Sequence, residues 1–508
     1  MSLLAPGLLA VLLASPSGEP IAWTDWSDGL FERARKEDRF VLLDLGAVWC
    51  HWCHVMEETT YKDPKVVELV KARYLAVRVD QDARPDLSNR YEEYGWPATV
   101  IFDKSGAELA KFQGYVPPGR MASLLQGIID DPTPGPSVLE TRETPAPEAA
   151  EPRLADAQRA ELLELLVTRY DSERGGWGFT HKFLDWDAVE QCMLRAREGD
   201  ARAEAMARET LAKQTKLIDP VWGGVNQYSD SGDWDHPHFE KIMQFQAENL
   251  RIYSLAYAQW HDPVHLKAAR DIHRYLTTFL LGPEGAFYTS QDADLVQGEH
   301  SGDYYALSDA ERRKQGIPRV DTHRYARENA WVVNALVSFH SAAGEDEPLQ
   351  EALKAARWVV DNRALAGGGF RHDEKDAAGP YLGDTVAAGR AFLSLYGATR
   401  DAEWLRRAEE AAAFIASRFV APGVAGFVTS ADGTGHRPQR DENILAARLG
   451  AALYQATKKP AHRELAEHAM RYLASPGIAR QPQTGGVLLA DRALRDLSPA
   501  TADRRYIN

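Results

Sequence analysis

The chain has 508 residues, 44% of them hydrophobic and 26% charged, with a formal net charge of −15. That length supports two or three folded domains, and the negative charge, with no Lys/Arg-rich run, excludes nonspecific nucleic-acid or anionic-membrane binding. Cys50, Cys53 and Cys192 are the 3 cysteines, too few for a disulfide-stapled scaffold.

Leu3 to Ala14 is almost wholly apolar and ends at Ser15-Pro16-Ser17-Gly18. The stretch is too short to span a bilayer but suits the apolar region of a signal peptide. Residues 1–18 are therefore read as an export signal and the protein as periplasmic or secreted. The usual basic leader is missing and Pro6-Gly7 interrupts the run, so a cytoplasmic protein with an apolar tail is the alternative.

Residues 19–130 alternate helix and strand. A helix is predicted over Trp26–Lys36, a buried strand over Phe40–Leu45, and helix over Cys53–Lys71 with a break at Asp63-Pro64. Leu75–Asp80 and Ala98–Phe102 read as strands. Asp103–Gly106 turns the chain into Glu108–Phe112, and Arg120–Ile129 closes the unit as a helix. Between the first strand and the next helix stands Trp49-Cys50-His51-Trp52-Cys53, with Asp44 upstream and Gly95-Trp96-Pro97 downstream. A buried strand, a Cys-x-x-Cys opening a helix, an acid on the strand and a later Pro make up a thioredoxin active site.

The chemistry follows from where the sulfurs lie. A helix N-terminus favours negative charge, which lowers a thiol's pKa and creates the nucleophile of disulfide exchange. Cys50 should be the exposed attacking thiolate, and Cys53, one turn in, should resolve the mixed disulfide. Protonated His51 would stabilise the thiolate. Asp44 would move a proton to or from Cys53, and a cis Pro97 would set backbone beside the disulfide for a substrate strand. Two rivals use the same residues: Cys50-His51-Trp52-Cys53-His54 matches the c-type haem attachment pattern, and Cys50, Cys53 and a histidine could hold zinc. The strand, Asp44 and Gly-x-Pro context already accounts for the cysteines, so no cofactor and no metal is expected. Cys192, in the helical stretch Ala188–Met193, reads as a buried small hydrophobe.

Residues 131–153 carry Pro132, Pro134, Pro136, Pro145, Pro147 and Pro152 and are read as an extended linker. Residues 154–508 are amphipathic helix punctuated by a recurring Gly-rich turn followed by aromatic or β-branched residues. The turn appears at Gly175–Phe179, Gly223–Val225, Gly285–Tyr288, Gly368–Phe370, Gly426–Val428 and Gly485–Val487. Helix pairs between such turns, for example Phe239–Trp260 with Val264–Leu280, predict a closed (α/α)6 toroid of helical hairpins. Its last repeat, Leu489–Leu497, is short. An open helical array or bundle is the alternative.

Carboxylates and imidazoles at hairpin ends could ring one mouth: His236, His238 and Glu240, Asp292 and Asp294, Glu328, Asp384, Asp441 and Glu442. Trp177, Trp222, Trp234 and Phe370 could serve as sugar platforms. Asp384 and Asp441 also suit helix caps, and Ser308 with Glu311 reads as a capping box.

Taken together, Trp49–Met56, Asp80 with Arg84-Pro85-Asp86, Gly95-Trp96-Pro97, His236–Lys241 and Asp292-Ala293-Asp294 resemble a known family. It is the family that includes spermatogenesis-associated protein 20. The resemblance implies a thioredoxin-like domain followed by a six-hairpin-glycosidase-like toroid akin to sugar epimerases and hydrolases. The expected function is a thiol–disulfide oxidoreductase using Cys50 and Cys53 on a protein thiol or disulfide partner. The alternatives are a carbohydrate-active enzyme, epimerase or glycoside hydrolase, with a sugar at the toroid mouth, and a non-catalytic scaffold. No membrane span and no nucleic-acid partner are expected.

Overall fold

A computed structural model describes residues 20–139, 151–376, 378–431 and 437–497. The apolar run Leu3–Ala14, on which the export reading rests, lies outside the described residues, as do residues 140–150 of the Pro-rich segment.

The N-terminal unit consists of α1 (Leu30–Glu37), β1 (Phe40–Gly46), α2 (His51–Glu58), α3 (Pro64–Arg73), β2 (Tyr74–Asp80), α4 (Pro85–Tyr91), β3 (Ala98–Phe102), β4 (Glu108–Gln113), α5 (Pro118–Asp130) and α6 (Pro136–Leu139). The sheet order is β2-β1-β3-β4, with β2 parallel to β1, and with β3 antiparallel to both β1 and β4. β1 is apolar on both faces because both are covered. Leu42 packs with Met56, Val66 and Val70, while Val41, Leu43 and Leu45 pack with Leu30, Val77 and Val100. The predicted break at Asp63-Pro64 divides α2 from α3, and the Asp63 side chain caps α3 by accepting from Lys65 N and Val66 N. The first part of the expected linker is not extended: Gly135 N donates to Leu109 O (2.8 Å) and Lys111 N to Ser137 Oγ (3.1 Å), which folds α6 back onto β4.

The second unit contains α7 (Asp156–Thr168), α8 (Trp186–Arg197), α9 (Ala201–Gln214), α10 (Met243–Trp260), α11 (Pro263–Tyr275), α12 (Gly302–Tyr305), α13 (Asp309–Gln315), α14 (Ala326–Ala343), α15 (Asp346–Arg363), α16 (Leu382–Thr399), α17 (Ala402–Arg418), α18 (Arg440–Thr457), α19 (Pro460–Leu473), α20 (Pro476–Ala479) and α21 (Gly485–Arg495). Helices α8, α10, α14, α16, α18 and α21 each pack on the next, and α21 packs back on α8, so the inner ring is closed. α9, α11, α15, α17 and α19 form the outer ring. Inner helices are buried nearly all round, as the Ala/Leu/Gly-rich α16 shows. The outer α17 buries one stripe, Trp404, Ala408, Ala411, Ala412 and Ile415.

The Gly-rich turns do not mark all six hairpins in the same way. Gly485-Gly486-Val487 opens α21 directly, and besides α19 the outer helix that packs on α21 is α7, from the other end of the toroid. The ring therefore closes by joining its two ends. Buried Asp491 on α21 accepts from Leu154 N (3.0 Å) and from Arg159 Nε (2.7 Å) on α7.

At four other turns one clamp recurs. A residue one or two places after the glycines donates its N–H to a polar side chain at the fourth position of an inner helix. The pairs are Val225 with Gln246 (2.7 Å), Phe287 with Asn329 (2.7 Å), Phe370 with Thr385 (3.2 Å) and Phe427 with Asn443 (2.8 Å). The glycines are needed for close approach: at Gly224, with φ +76°, a Cβ would stand 2.5 Å from the Tyr275 ring. On α14, α16 and α18 the residue just before the clamp is an acid, Glu328, Asp384 or Glu442.

Asp491→Ala should open the ring at its seam. Losing the buried acceptor leaves Arg159 and Leu154 N unmatched, so toroid stability should fall by about 3 kcal/mol or more, read in chemical or thermal unfolding of the full chain.

Candidate functional site

Cys50 and Cys53 form a disulfide at the start of α2. Cys50 is the helix N-cap, with Cys53 N 3.1 Å from its sulfur. Gly46, at the end of β1, keeps the sheet close to Cys53: a Cβ there would lie 3.2 Å from Cys53 Sγ. The Trp96–Pro97 peptide is cis, as expected. Asp44, two residues before Gly46 on the same strand, is buried, with its carboxyl pushed up by burial against the opposing pull of Arg78. Tyr61 Oη donates to its Oδ1 and Arg78 Nε to its Oδ2, both at 3.1 Å.

The expected exposed nucleophile is not exposed. Cys50 is only 3% accessible; it clusters with Ala47 and Trp49, and Trp96 and, from the toroid, Ile242 pack against that cluster. Ile242 belongs to β7 (Lys241–Ile242), one strand of a small three-stranded sheet with β8 (Ser290–Gln291) and β9 (Val320–Asp321). A two-stranded antiparallel pair, β5 (Tyr228–Ser229) with β6 (Pro237–His238), lies just upstream. Pairing of Lys241 with Gln291 sets Glu240 opposite Asp292 at the edge of this sheet. β7 is anchored from below by a buried ion group, Lys241 Nζ and Arg312 Nη1 both bonding Asp219 Oδ2 (2.8 and 2.7 Å).

The sheet edge meets α2. His51 Nδ1 lies 2.7 Å from Asp294 Oδ1, His54 Nδ1 lies 3.1 Å from Asp294 Oδ2, and His51 N donates to Glu240 Oε1 (3.4 Å). Burial raises the Asp292 carboxyl to about 6 and the Glu240 carboxyl to about 7. Asp294 stays near about 2, because its bonds from His51 and His54 outweigh burial. His51 is thus paired with Asp294, which weakens the expected stabilisation of a Cys50 thiolate by its charge.

A second contact lies across the toroid mouth. The segment from Gln81 to Asn89 of the thioredoxin-like unit covers the starts of α14, α16 and α18. His372 Nε2 is 2.7 Å from Asp82 O and its Nδ1 is 2.9 Å from Asp384 Oδ1. Tyr381 Oη donates to Asp86 Oδ1 (3.2 Å), and Asn89 Nδ2 to Thr429 Oγ1 (3.2 Å) and Glu442 Oε1 (3.3 Å). Asp82 also accepts from Trp49 Nε1 (2.8 Å), which ties this contact to the Cys-x-x-Cys turn. Both His372 nitrogens face acceptors, and Asp384 holds the imidazole's pKa up at about 9 against burial, which favours the doubly protonated ring.

The sequence candidates therefore separate. Glu240, Asp292 and Asp294 come together at the disulfide, and Asp384 joins the second contact. Trp177 and Trp234 are not sugar platforms: their indoles are buried and donate to Leu166 O (2.8 Å) and Arg174 O (2.9 Å) within the toroid wall. His236 is exposed beside Asp233, and His238 stacks on Tyr228. Asp384 is not a cap either, since Tyr381 occupies that position, whereas Ser308 and Glu311 do form the capping box. Cys192 is buried and its thiol pushed up to about 12 by that burial, the inert residue expected. Sequence reasoning missed His372, Tyr381, Asp82 and Asn89. Part of their signal was Arg84-Pro85-Asp86, which marked the segment.

Residues 10–127 match the family described as Thioredox_DsbH, protein of unknown function, DUF255. Spermatogenesis-associated protein 20 of Rattus norvegicus is 29% identical over 75% of this chain and 49% of its own length. The chain is similar, in its thioredoxin-like domain and its helical toroid alike, to the family that includes that protein. It spans about half or less of the length of these curated relatives. The thiol:disulfide interchange protein DsbD of Pseudomonas fluorescens is 34% identical over 16% of this chain and 14% of that protein. A sugar epimerase from a ruminal bacterium superposes on 66% of this chain and 96% of its own with a TM-score of 0.53. At 13% identity that likeness is one of fold alone. Among the described residues no helix is long and apolar enough to cross a membrane.

The His372 bridge makes docking pH-dependent. Its folded pKa of about 9 lies above the unfolded value, so its stabilisation is complete below about pH 6.5 and lost as pH rises through 9. The melting temperature should fall between pH 7 and 10 more steeply in the native chain than in His372→Gln. Parallel profiles would remove His372 from the interface.

Proposed function

We propose that the protein is a thiol–disulfide oxidoreductase whose redox pair is kept covered by its own toroid. The observation that carries this reading is the Cys50–Cys53 disulfide at the N-cap of α2, roofed by Ile242. In the reduced form Cys50 Sγ at the cap faces the Cys53 N–H, an arrangement that favours the thiolate. Attack by that thiolate on a partner's disulfide forms a mixed disulfide and releases one partner thiolate. Cys53, deprotonated with Asp44 as the acceptor on the same sheet face, then attacks Cys50 Sγ. The second partner thiol leaves, and the Cys50–Cys53 bond is re-formed. The reverse sequence oxidises a partner dithiol. A partner strand must reach Cys50, so the contact of Ile242 with Trp49 and Cys50 must open during turnover. An extracytoplasmic location suits a pair held as a disulfide.

The carbohydrate reading is weaker on geometry. The acids at the inner-helix starts, Asp384 and Glu442, are bonded to the thioredoxin-like unit directly or through His372, and two proposed aromatic platforms are structural.

Cys53→Ser should trap a covalent complex with a protein partner, and Cys50→Ser should trap none and lose insulin reduction. Asp44→Asn should slow resolution and spare the first attack. Ile242→Asp should raise exchange with insulin several-fold over native, while small-thiol exchange changes less. Retention of full exchange by both cysteine variants would end the redox reading.

A further inference from the structure

We propose that His54, Asp292 and Asp294 form a binding site for a first-row divalent cation, such as Zn2+ or Mn2+, that clamps the two domains together. His54 Nδ1 lies 3.1 Å from Asp294 Oδ2 and 3.6 Å from Asp292 Oδ1, and the three donor atoms all fall within 4.8 Å of one another. Ligand atoms around a tetrahedral ion, bonded at about 2.0–2.1 Å, stand about 3.3 Å apart, close to both of these His54–aspartate separations. All three residues are buried.

The surroundings hold these donors in place. Asp294 Oδ1 is taken by His51 Nδ1 at 2.7 Å, which leaves Oδ2 toward His54, and Gly298 N donates to that Oδ2 at 2.9 Å. Asp294 N donates to Asp292 Oδ1 (2.9 Å). Such outer contacts orient carboxylates around metal ions. A second observation is a buried carboxyl oxygen without a donor beside this cluster. Glu240, 3% accessible and bonded to His51 N through Oε1, has no hydrogen-bond partner for Oε2 among the described residues. Three carboxylates thus share one buried junction with two imidazoles.

The donor set selects the class of ion. One imidazole nitrogen with two carboxylate oxygens suits borderline divalent metals rather than Ca2+ or Mg2+, which prefer all-oxygen shells. Sulfur takes no part, because both nearby cysteines are joined in the disulfide. Three protein ligands leave a fourth position for water. His54 comes from α2 and the two aspartates from the loop after β8, so a bound ion would join the redox helix to the toroid and hold Cys50 beneath Ile242. A proton shared by His54 with the two aspartates is the competing occupant.

The test uses the full chain with its disulfide intact, stripped with chelator. Titration with Co2+ should reach one equivalent, with d–d absorption and no sulfur-to-cobalt charge-transfer band, and Zn2+ should displace it and raise the melting temperature. Asp292→Asn and His54→Gln, checked for native circular dichroism, should each weaken binding by about ten-fold or more. Metal removal should also speed reduction of the disulfide by phosphine. If the native chain binds no Co2+ or Zn2+, the occupant is a proton and the proposal fails. It fails too if binding shows sulfur ligation or survives both substitutions unchanged.

Discussion

The whole arrangement depends on acids buried where the inner helices of the toroid begin. Glu328, Asp384 and Glu442 each sit in the first turn of an inner helix, where backbone N–H groups favour negative charge. Removed from water, they still need donors, and an unpaired buried charge is strongly unfavourable. The described structure supplies a donor to one oxygen of Glu328 and of Asp384, from Arg327 and His372, and to both of Glu442, from Asn89 and Thr429; Glu328 Oε2 and Asp384 Oδ2 find none. His372 passes the contact on to the backbone of Asp82, so the thioredoxin-like domain is part of how the toroid satisfies its own mouth.

That constraint shapes the redox centre. A thioredoxin-like active site ordinarily presents its first cysteine to a partner. Here the helix carrying the cysteines is bonded through His51 and His54 to Asp294 and roofed by Ile242. The toroid occupies the side from which a substrate strand would approach. Reactivity is then governed by two things: the N-cap geometry, which sets the chemistry of the sulfur, and the interface, which sets access to it.

Likeness to epimerase toroids is a likeness of fold, the double ring of helices. A fold supplies a frame, and function resides in the residues placed on it. In this chain the frame's open end is met by residues 81–89, and its wall tryptophans are fixed by hydrogen bonds to backbone carbonyls.

The sequence alone specified both folds, since each rests on local patterning. The buried run Val41–Leu45, the break at Asp63-Pro64 and the Cys-x-x-Cys before a helix determined the thioredoxin-like unit, and recurring Gly-rich turns between amphipathic helices determined the toroid. The redox pair was legible because its residues are neighbours in the chain. What the sequence could not show is what lies between the domains. His54 and Asp294 are 240 positions apart and His372 and Asp82 are 290 apart, and no local periodicity encodes such pairs. For the same reason the sixth hairpin, made from α7 and α21 at opposite ends of the toroid, appeared only as a short last repeat. Burial of Cys50 was likewise decided by tertiary packing, because a helix N-cap has the same sequence whether it faces water or Ile242.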